Sequence, residues 1–289
     1  MGTNSCHCPP MGAYTQVAHR SVLSRVRRRL DRLNDRTREK SEQVMSALGV
    51  HHSEERLIAD AADYWADRSD PRWLDDSHWC GGRRIDEGRF DQIGTDHLAL
   101  FDQLASMVGG RPHLGRVLDW GVGGGANAVR FAPRAESFVA LDVNPHSTAE
   151  AARVVKDHCH TPVTEVVVDV AAPDAVLDDV PTGSVDLFLC LYVLELVPSP
   201  EYGLRVMRLA AAMLRPGGLA FVQIKYSTGA TDTWSPRRNY RFHNANMTTY
   251  RLDHFWTAMD DMGLRPVGMT LVPESALDQH YGYVLMRRT

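Results

Sequence analysis

The chain has 289 residues, of which 44% are hydrophobic and 24% charged, and it carries a formal net charge of −4. That length suits one large domain with additions. No uninterrupted apolar run of ~18 residues occurs, which excludes an expected membrane span, and Met1 to Arg20 lacks the charged and apolar regions of a secretory signal. The five cysteines, Cys6, Cys8, Cys80, Cys159 and Cys190, are scattered and odd in number. They read as reduced thiols in a cytoplasmic protein. Cys6-His7-Cys8 and His158-Cys159-His160 lack the two-residue gap of a zinc knuckle, so no metal is expected.

Residues 1–16 are uncharged and rich in Gly, Ser and Pro, and are expected to form a disordered arm. From Val17 to about Leu48, apolar residues recur at helical spacing (Val22, Val26, Leu30, Leu33). Residues 20–40 carry nine basic side chains against three acids. Without interleaved aromatics, this reads as a solvated helix whose narrow stripe packs on its own domain or forms a homo-oligomer, rather than as a nucleic-acid handle. Ser53 to Asp67 predicts a second helix, stopped by Asp70-Pro71. Residues 72–92, with Trp73, His78 and Trp79, read either as a lid over a ligand or as core plugs. The whole of 17–92 is thus a helical extension or lid, and 93–289 the main domain. A helix is expected at Thr95–Val108, ended by Gly109-Gly110.

Strands are then predicted at 116–120, 137–142, 164–169, 185–191 and 218–225, with helices between them. After a helix at 249–262, segments 264–272 and 280–287 can pair as an antiparallel edge. Near-continuous apolar strands alternating with helices imply an α/β fold. The sheet is expected to be doubly wound, mostly parallel and seven-stranded, with an antiparallel C-terminal edge.

The first strand ends in Asp119-Trp-Gly121-Val-Gly123-Gly-Gly125. Strand, glycine loop and helix form the first unit of a nucleotide-binding domain. Glycine lets the loop turn sharply and approach a ligand, and loop and helix-start N–H groups would meet its anionic part. The second strand ends in Asp142, where a ribose-binding acid belongs. NAD and S-adenosylmethionine both fit such a loop. Asp119 at its mouth would repel a diphosphate but attract a sulfonium and an ammonium, which favours the second.

At these residues the chain resembles the class I S-adenosylmethionine-dependent methyltransferases. Asp119, Gly121, Gly123 and Gly125 match the fixed positions of that family's first motif. Asp142 matches the acid on the ribose, and Asp169 followed by Val170 matches the acid beside the adenine. Val143 and Leu191 join them as cofactor-binding residues. Val185 to Val197 resembles the fourth-strand motif, and Leu214-Arg-Pro-Gly-Gly218 the turn before the fifth strand. The resemblance implies S-adenosylmethionine as donor, S-adenosylhomocysteine as product and a small-molecule acceptor, in secondary metabolism. The Asn/Asp-Pro-Pro-Tyr/Phe signature of base methylation is missing, which makes nucleic acid the lesser reading, and Leu196 stands where many members have His. The alternatives are an RNA methyltransferase using the arginine-rich helix and a non-catalytic cofactor-binding relative. Methyl transfer requires a base only where the acceptor must lose a proton. The candidates are His78, Tyr192, Glu195, Tyr226 and His243, with His280 beside them. The insertion at 226–247, after the carboxyl end of a strand, is the expected substrate side.

Overall fold

In this computed structural model the described residues are 37, 41–42, 44–46, 48–67, 72–82, 84–109, 114–230, 233–243, 246–275 and 279–289. The expected arm at 1–16 and nearly all of the arginine-rich helix lie outside them. Described residues at the end of that segment, 44–46, are helical.

The helices before the sheet include α1 (Glu54–Ala66), α2 (Arg72–Asp76) and α3 (Glu87–Ser106). Ser53 caps α1 by accepting from the Arg56 N–H. Seven strands follow: β1 (Leu114–Trp120), β2 (Ala135–Asp142), β3 (Val163–Val167), β4 (Val185–Cys190), β5 (Leu214–Lys225), β6 (Leu264–Glu274) and β7 (Gln279–Arg288). They form one sheet in the order β3-β2-β1-β4-β5-β7-β6. The pairs among β1 to β5 are parallel, while β7 is antiparallel to both β5 and β6. This is the mixed seven-stranded sheet that the apolar runs predict. The intervening helices are α4 (Ala128–Phe131), α5 (Pro145–His158), α6 (Val176–Asp179), α7 (Pro200–Met213), α8 (Tyr240–His243) and α9 (Leu252–Asp261).

Both sheet faces are covered, which explains why the strands lack a polar alternation. On one face Tyr64 of α1, Val206 of α7 and Met259 of α9 pack in a single core with Leu118 and Phe188. On the other, Phe101 of α3, Phe131 of α4 and Ala151 of α5 pack with Val117 and Phe221. The strand order reverses between β1 and β4, so a crevice opens beyond their carboxyl ends.

The largest departure from the sequence reading is α3, which begins at Glu87 rather than Thr95. Asp86 caps it by accepting from the Arg89 N–H at 2.8 Å. Gly88 and Gly94 masked the helix, because glycine weakens a helical pattern. Gly94 is there for close approach. A Cβ on it would collide with the Ala126 carbonyl and lie 2.7 Å from Arg130 Cγ. Gly94→Ala should therefore reverse the usual gain of a helix-interior Gly→Ala change and destabilise by about 1–3 kcal/mol. Denaturant unfolding of the two proteins checks this.

Candidate active site

The glycine loop is tied down on every side. Gly121 and Val122 donate their N–H groups to the Leu141 carbonyl at 2.8 and 2.9 Å. Gly123 N–H donates to Asp142 Oδ2 at 2.9 Å. Gly124 N–H donates to the Ser77 carbonyl at 2.7 Å, and Gly125 N–H to the Val122 carbonyl at 3.0 Å. The expectation that loop amides stand open for an anionic ligand group is thus corrected: all five are engaged within the protein. Four of the amides turn back to the sheet side or to the loop itself, and the fifth, that of Gly124, is taken by the 72–82 segment, which lies on the loop. A Cβ on Gly124 would sit 2.7 Å from Trp79 Cα and 2.8 Å from the His78 carbonyl oxygen. Three of these glycines therefore have a further reason. Gly123 and Gly124 admit the covering segment, and a Cβ on Gly125 (φ +88°) would lie 2.7 Å from the Val154 side chain.

Residues 72–82 serve both as plug and as cover. Trp73 is buried and meets Trp79 edge-on at 5.2 Å, while Ser77 and His78 face a cavity beyond the sheet. That cavity is bounded by Trp120 to Gly123, Leu141 to Val143 and Leu191 to Val193 on the sheet side. Trp65 of α1 and Tyr240 of α8 close it from outside. Trp65 Nε1 donates to the Tyr240 hydroxyl at 2.9 Å, and that hydroxyl donates to the Leu196 carbonyl at 2.5 Å. As it stands the cavity measures about 90 Å³. Ligand pockets run to roughly 300–1,000 Å³, so the cover has to lift for a nucleoside-sized ligand to enter.

Two acids dominate the site's electrostatics. Asp142 lines the cavity, and its Oδ1 accepts from the Asn144 N–H at 2.9 Å. Burial pushes its pKa up to about 6, against the pull of the Asn144, Gly123 and Val143 amides. Asp119 is fully buried, and neither carboxylate oxygen has a hydrogen-bond partner among the described residues. Burial, and secondarily the charge of Asp142, raise its pKa to about 8. Its neighbours Trp120 and Gly121 line the cavity, although Asp119 itself does not.

Val143, Val170 and Leu191 line the same cavity. Asp169 does not. Strand β3 ends at Val167, and the exposed Asp169 turns its Oδ1 to the Ala171 N–H at 2.8 Å. Of the candidate bases, only His78 and Tyr192 come together at the cavity, with ring centroids 4.9 Å apart. Both hold positive φ, 53° and 59°, a backbone state uncommon away from glycine. Burial, then the nearby His97, lowers the His78 pKa to about 4, with Asp75 opposing. Glu195 is buried outside the cavity lining. Tyr226 packs edge-on against His280 at 5.4 Å, and His243 against Phe242 at 4.8 Å, both away from the cavity. The insertion contributes Tyr240 instead.

The sequence reading missed Trp65 and Asn127 at this cavity, and His97 and Tyr283 behind it, whereas Tyr240 falls within the insertion it singled out. Trp65 read as one more apolar helix position. His97 and Tyr283 lie 186 residues apart in sequence, and nothing local joins them. The thiols need one correction: Cys159 and Cys190 are free, but Cys80 is disulfide-bonded. Spacing along the chain does not reveal which cysteines meet in space. Among the described residues no cluster of metal-ligating side chains exists, and no helix is long and apolar enough to cross a membrane.

The model of the methyltransferase domain family matches residues 87–268, more than half of the chain. The chain belongs to that family. The match starts at the first residue of α3 and ends within β6, so the covering segments α1 and 72–82 precede it. A human thiol S-methyltransferase is 31% identical over 122 residues, 42% of this chain and 47% of the relative. A ubiquinone biosynthesis O-methyltransferase of Xanthomonas campestris is 32% identical over 115 residues, 40% of this chain and 45% of the relative. The chain thus matches less than half the length of these curated relatives. Among solved structures, the N-methyltransferase NodS of Bradyrhizobium japonicum in complex with S-adenosylhomocysteine shares the fold. Its TM-score is 0.55 at 17% identity, over 77% of this chain and 99% of that one. Within this methyltransferase fold, Asp119, the glycine loop and Asp142 sit at the carboxyl ends of β1 and β2.

Proposed function

We propose that this methyltransferase-family chain transfers a methyl group from S-adenosylmethionine to a small-molecule acceptor. The observation that carries the reading is Asp119, a fully buried carboxylate whose two oxygens lack hydrogen-bond partners among the described residues. A buried acid in that state calls for a cation or a proton. A methionine-derived ammonium or sulfonium meets that need, and a diphosphate does not. Asp142 keeps lone pairs for ribose hydroxyls while its present bonds fix the loop. Val143, Val170 and Leu191 supply apolar walls for an adenine.

When bound, S-adenosylmethionine supplies an electrophilic methyl group on a positively charged sulfur. The chain's own task is then to align a nucleophile and to keep water out. Trp65, Tyr240 and the 77–79 backbone form that barrier. His78, neutral at pH 7, and Tyr192 are the polar side chains placed beside Leu191 at the cavity. They can hold an acceptor group without a net charge that would oppose a cationic donor.

The curated relatives are named for a thiol acceptor and for a step in ubiquinone biosynthesis, which supports a small molecule here. Incubation with methyl-labelled S-adenosylmethionine and a panel of phenols, thiols and amines tests the proposal. Label should appear in at least one of them. Transfer to RNA alone, or none to any acceptor, would contradict it.

A further inference from the structure

The helical residues before α1 turn their polar side to the protein and their apolar side to solvent. Thr37, Ser41, Glu42 and residues 44–46 are helical, and the Leu48 N–H donates to the Val44 carbonyl at 3.0 Å. Glu42 and Ser46, one turn apart, are both buried. The Glu42 carboxylate accepts from Arg238 Nε at 2.9 Å and from the Asn239 side-chain amide, and Ser46 Oγ donates to the Ser235 carbonyl at 3.3 Å. Val44 and Leu48, also one turn apart, are 59% and 71% exposed. Trp234, next in the chain to Ser235, is 45% exposed. The apolar side cannot roll inward without breaking the Glu42–Arg238 ion pair, whose side chains are 11% and 16% exposed. The expectation that the stripe packs on its own domain is thus corrected at its described end, where Glu42 and Ser46 occupy that place.

The sequence continues the outward face through residues that lie outside the described ones. On a helical projection at about 100° per residue, Val22, Val26, Leu30 and Leu33 fall within roughly 40° of the Val44 direction. Arg25, Arg29, Arg32 and Arg36 fall along one flank of that stripe, and Arg27 and Arg38 along the other. The acids Asp31, Asp35 and Glu39 fall on the opposite face. Pairing two copies of such a face would set arginine against arginine on both flanks, which opposes a homodimer. RNA would engage the arginines and leave the apolar stripe in water. An anionic bilayer answers both, with phosphates for the arginines and an acyl boundary for the stripe.

We propose that this outward face docks the protein on an anionic phospholipid surface. Val44, Leu48 and Trp234 enter the headgroup layer, and the arginines that precede them in the sequence meet the lipid phosphates. A stripe of this kind lies in the plane of the bilayer and does not cross it. The proposal goes beyond methyl transfer and does not depend on it.

Sedimentation of the full chain with vesicles tests this, using phosphatidylcholine alone and phosphatidylcholine mixed with phosphatidylglycerol, at low and at high salt. Binding to the anionic vesicles should be about tenfold tighter or more, and should fall steeply as salt is added. Val44→Asp combined with Leu48→Asp should weaken it about tenfold or more, while the melting temperature stays the same because both positions are exposed. Arg25→Glu combined with Arg36→Glu should remove the preference for anionic vesicles, and keeps the test decisive if the first pair misfolds. No binding, equal binding to the two vesicles, or binding unmoved by either pair would overturn the proposal. So would a dimer that the Val44 and Leu48 changes dissociate, or salt-sensitive RNA binding, in a protein that ignores both vesicles.

Discussion

Asp119→Asn should stabilise the ligand-free protein at pH 8 and, at the same time, remove most of its affinity for S-adenosylmethionine. The carboxyl pKa rises from 3.8 to about 8 on folding, chiefly through burial. A carboxyl raised in this way stabilises the fold most below its unfolded pKa, and that contribution is lost as pH rises through about 8. At 1.4 kcal/mol per unit, the ionised acid costs the empty fold about 6 kcal/mol at most. An amide of the same shape avoids that cost. Asp142 shifts in the same direction but titrates through about 6. His78 and His97 act the other way, since their lowered pKa values remove stability as pH falls from 6.5 through about 4. Between pH 7 and 9 Asp119 is therefore the group among these four whose titration moves stability. The wild-type melting temperature should fall across that range, and the Asp119→Asn curve should stay flat and higher. Loss of the charge partner should weaken cofactor binding by about 3–5 kcal/mol, or hundreds-fold to thousands-fold. Parallel curves, or unchanged affinity, would remove Asp119 from the site.

Gly124→Ala is the second large effect, and it isolates the cover. Among the loop glycines, Gly121, Gly123 and Gly125 have positive φ, so substituting them adds backbone strain. Gly124 does not, and an alanine there acts through contact alone. Its methyl would press on the backbone at His78 and Trp79, and the bond from its N–H to the Ser77 carbonyl would lengthen. Overpacking of this kind costs about 1–3 kcal/mol. The cover yields before the loop does, because the loop is held by Leu141 and Asp142 on the sheet side. Amide hydrogen exchange at residues 77–79 should accelerate while that of β1 and β2 stays unchanged. Affinity for S-adenosylhomocysteine should fall about 5- to 150-fold, the binding equivalent of that cost. Unaltered exchange in 77–79 would mean that the segment does not rest on the loop in solution.

The sheet and the glycine loop with its flanking acids were legible because they are encoded locally. An apolar run, an acid and spaced glycines lie within about ten residues at β1, and Asp142 ends the next run. The loop's internal bonds were not legible. Glycine spacing says that a backbone approaches closely, but Gly124 makes room for Trp79, not for a ligand. Asp169 turns outward for a related reason: β3 stops at Val167, and after the buried Val168 the chain turns at Asp169, whose carbonyl accepts from the Ala172 N–H. Helix α3 was read eight residues short because Gly88 and Gly94 look like breakers until the Ala126 backbone is seen against them. The wall around Tyr192 was least legible. Tyr192 was found from the fourth-strand motif, whereas its partners His97 and Tyr283 come from α3 and β7, joined only by the closing of the sheet.

Calorimetric titration with S-adenosylhomocysteine at pH 7, in two buffers of different ionisation heat, tests the central claim most directly. The empty protein holds a proton on Asp119 at that pH, and under the proposed function a cationic ammonium displaces it. Wild-type binding should release about one proton, Asp119→Asn should release none, and NAD should give no binding heat. Binding of NAD without S-adenosylhomocysteine, or binding of S-adenosylhomocysteine with equal strength and no proton release in both proteins, would contradict the account.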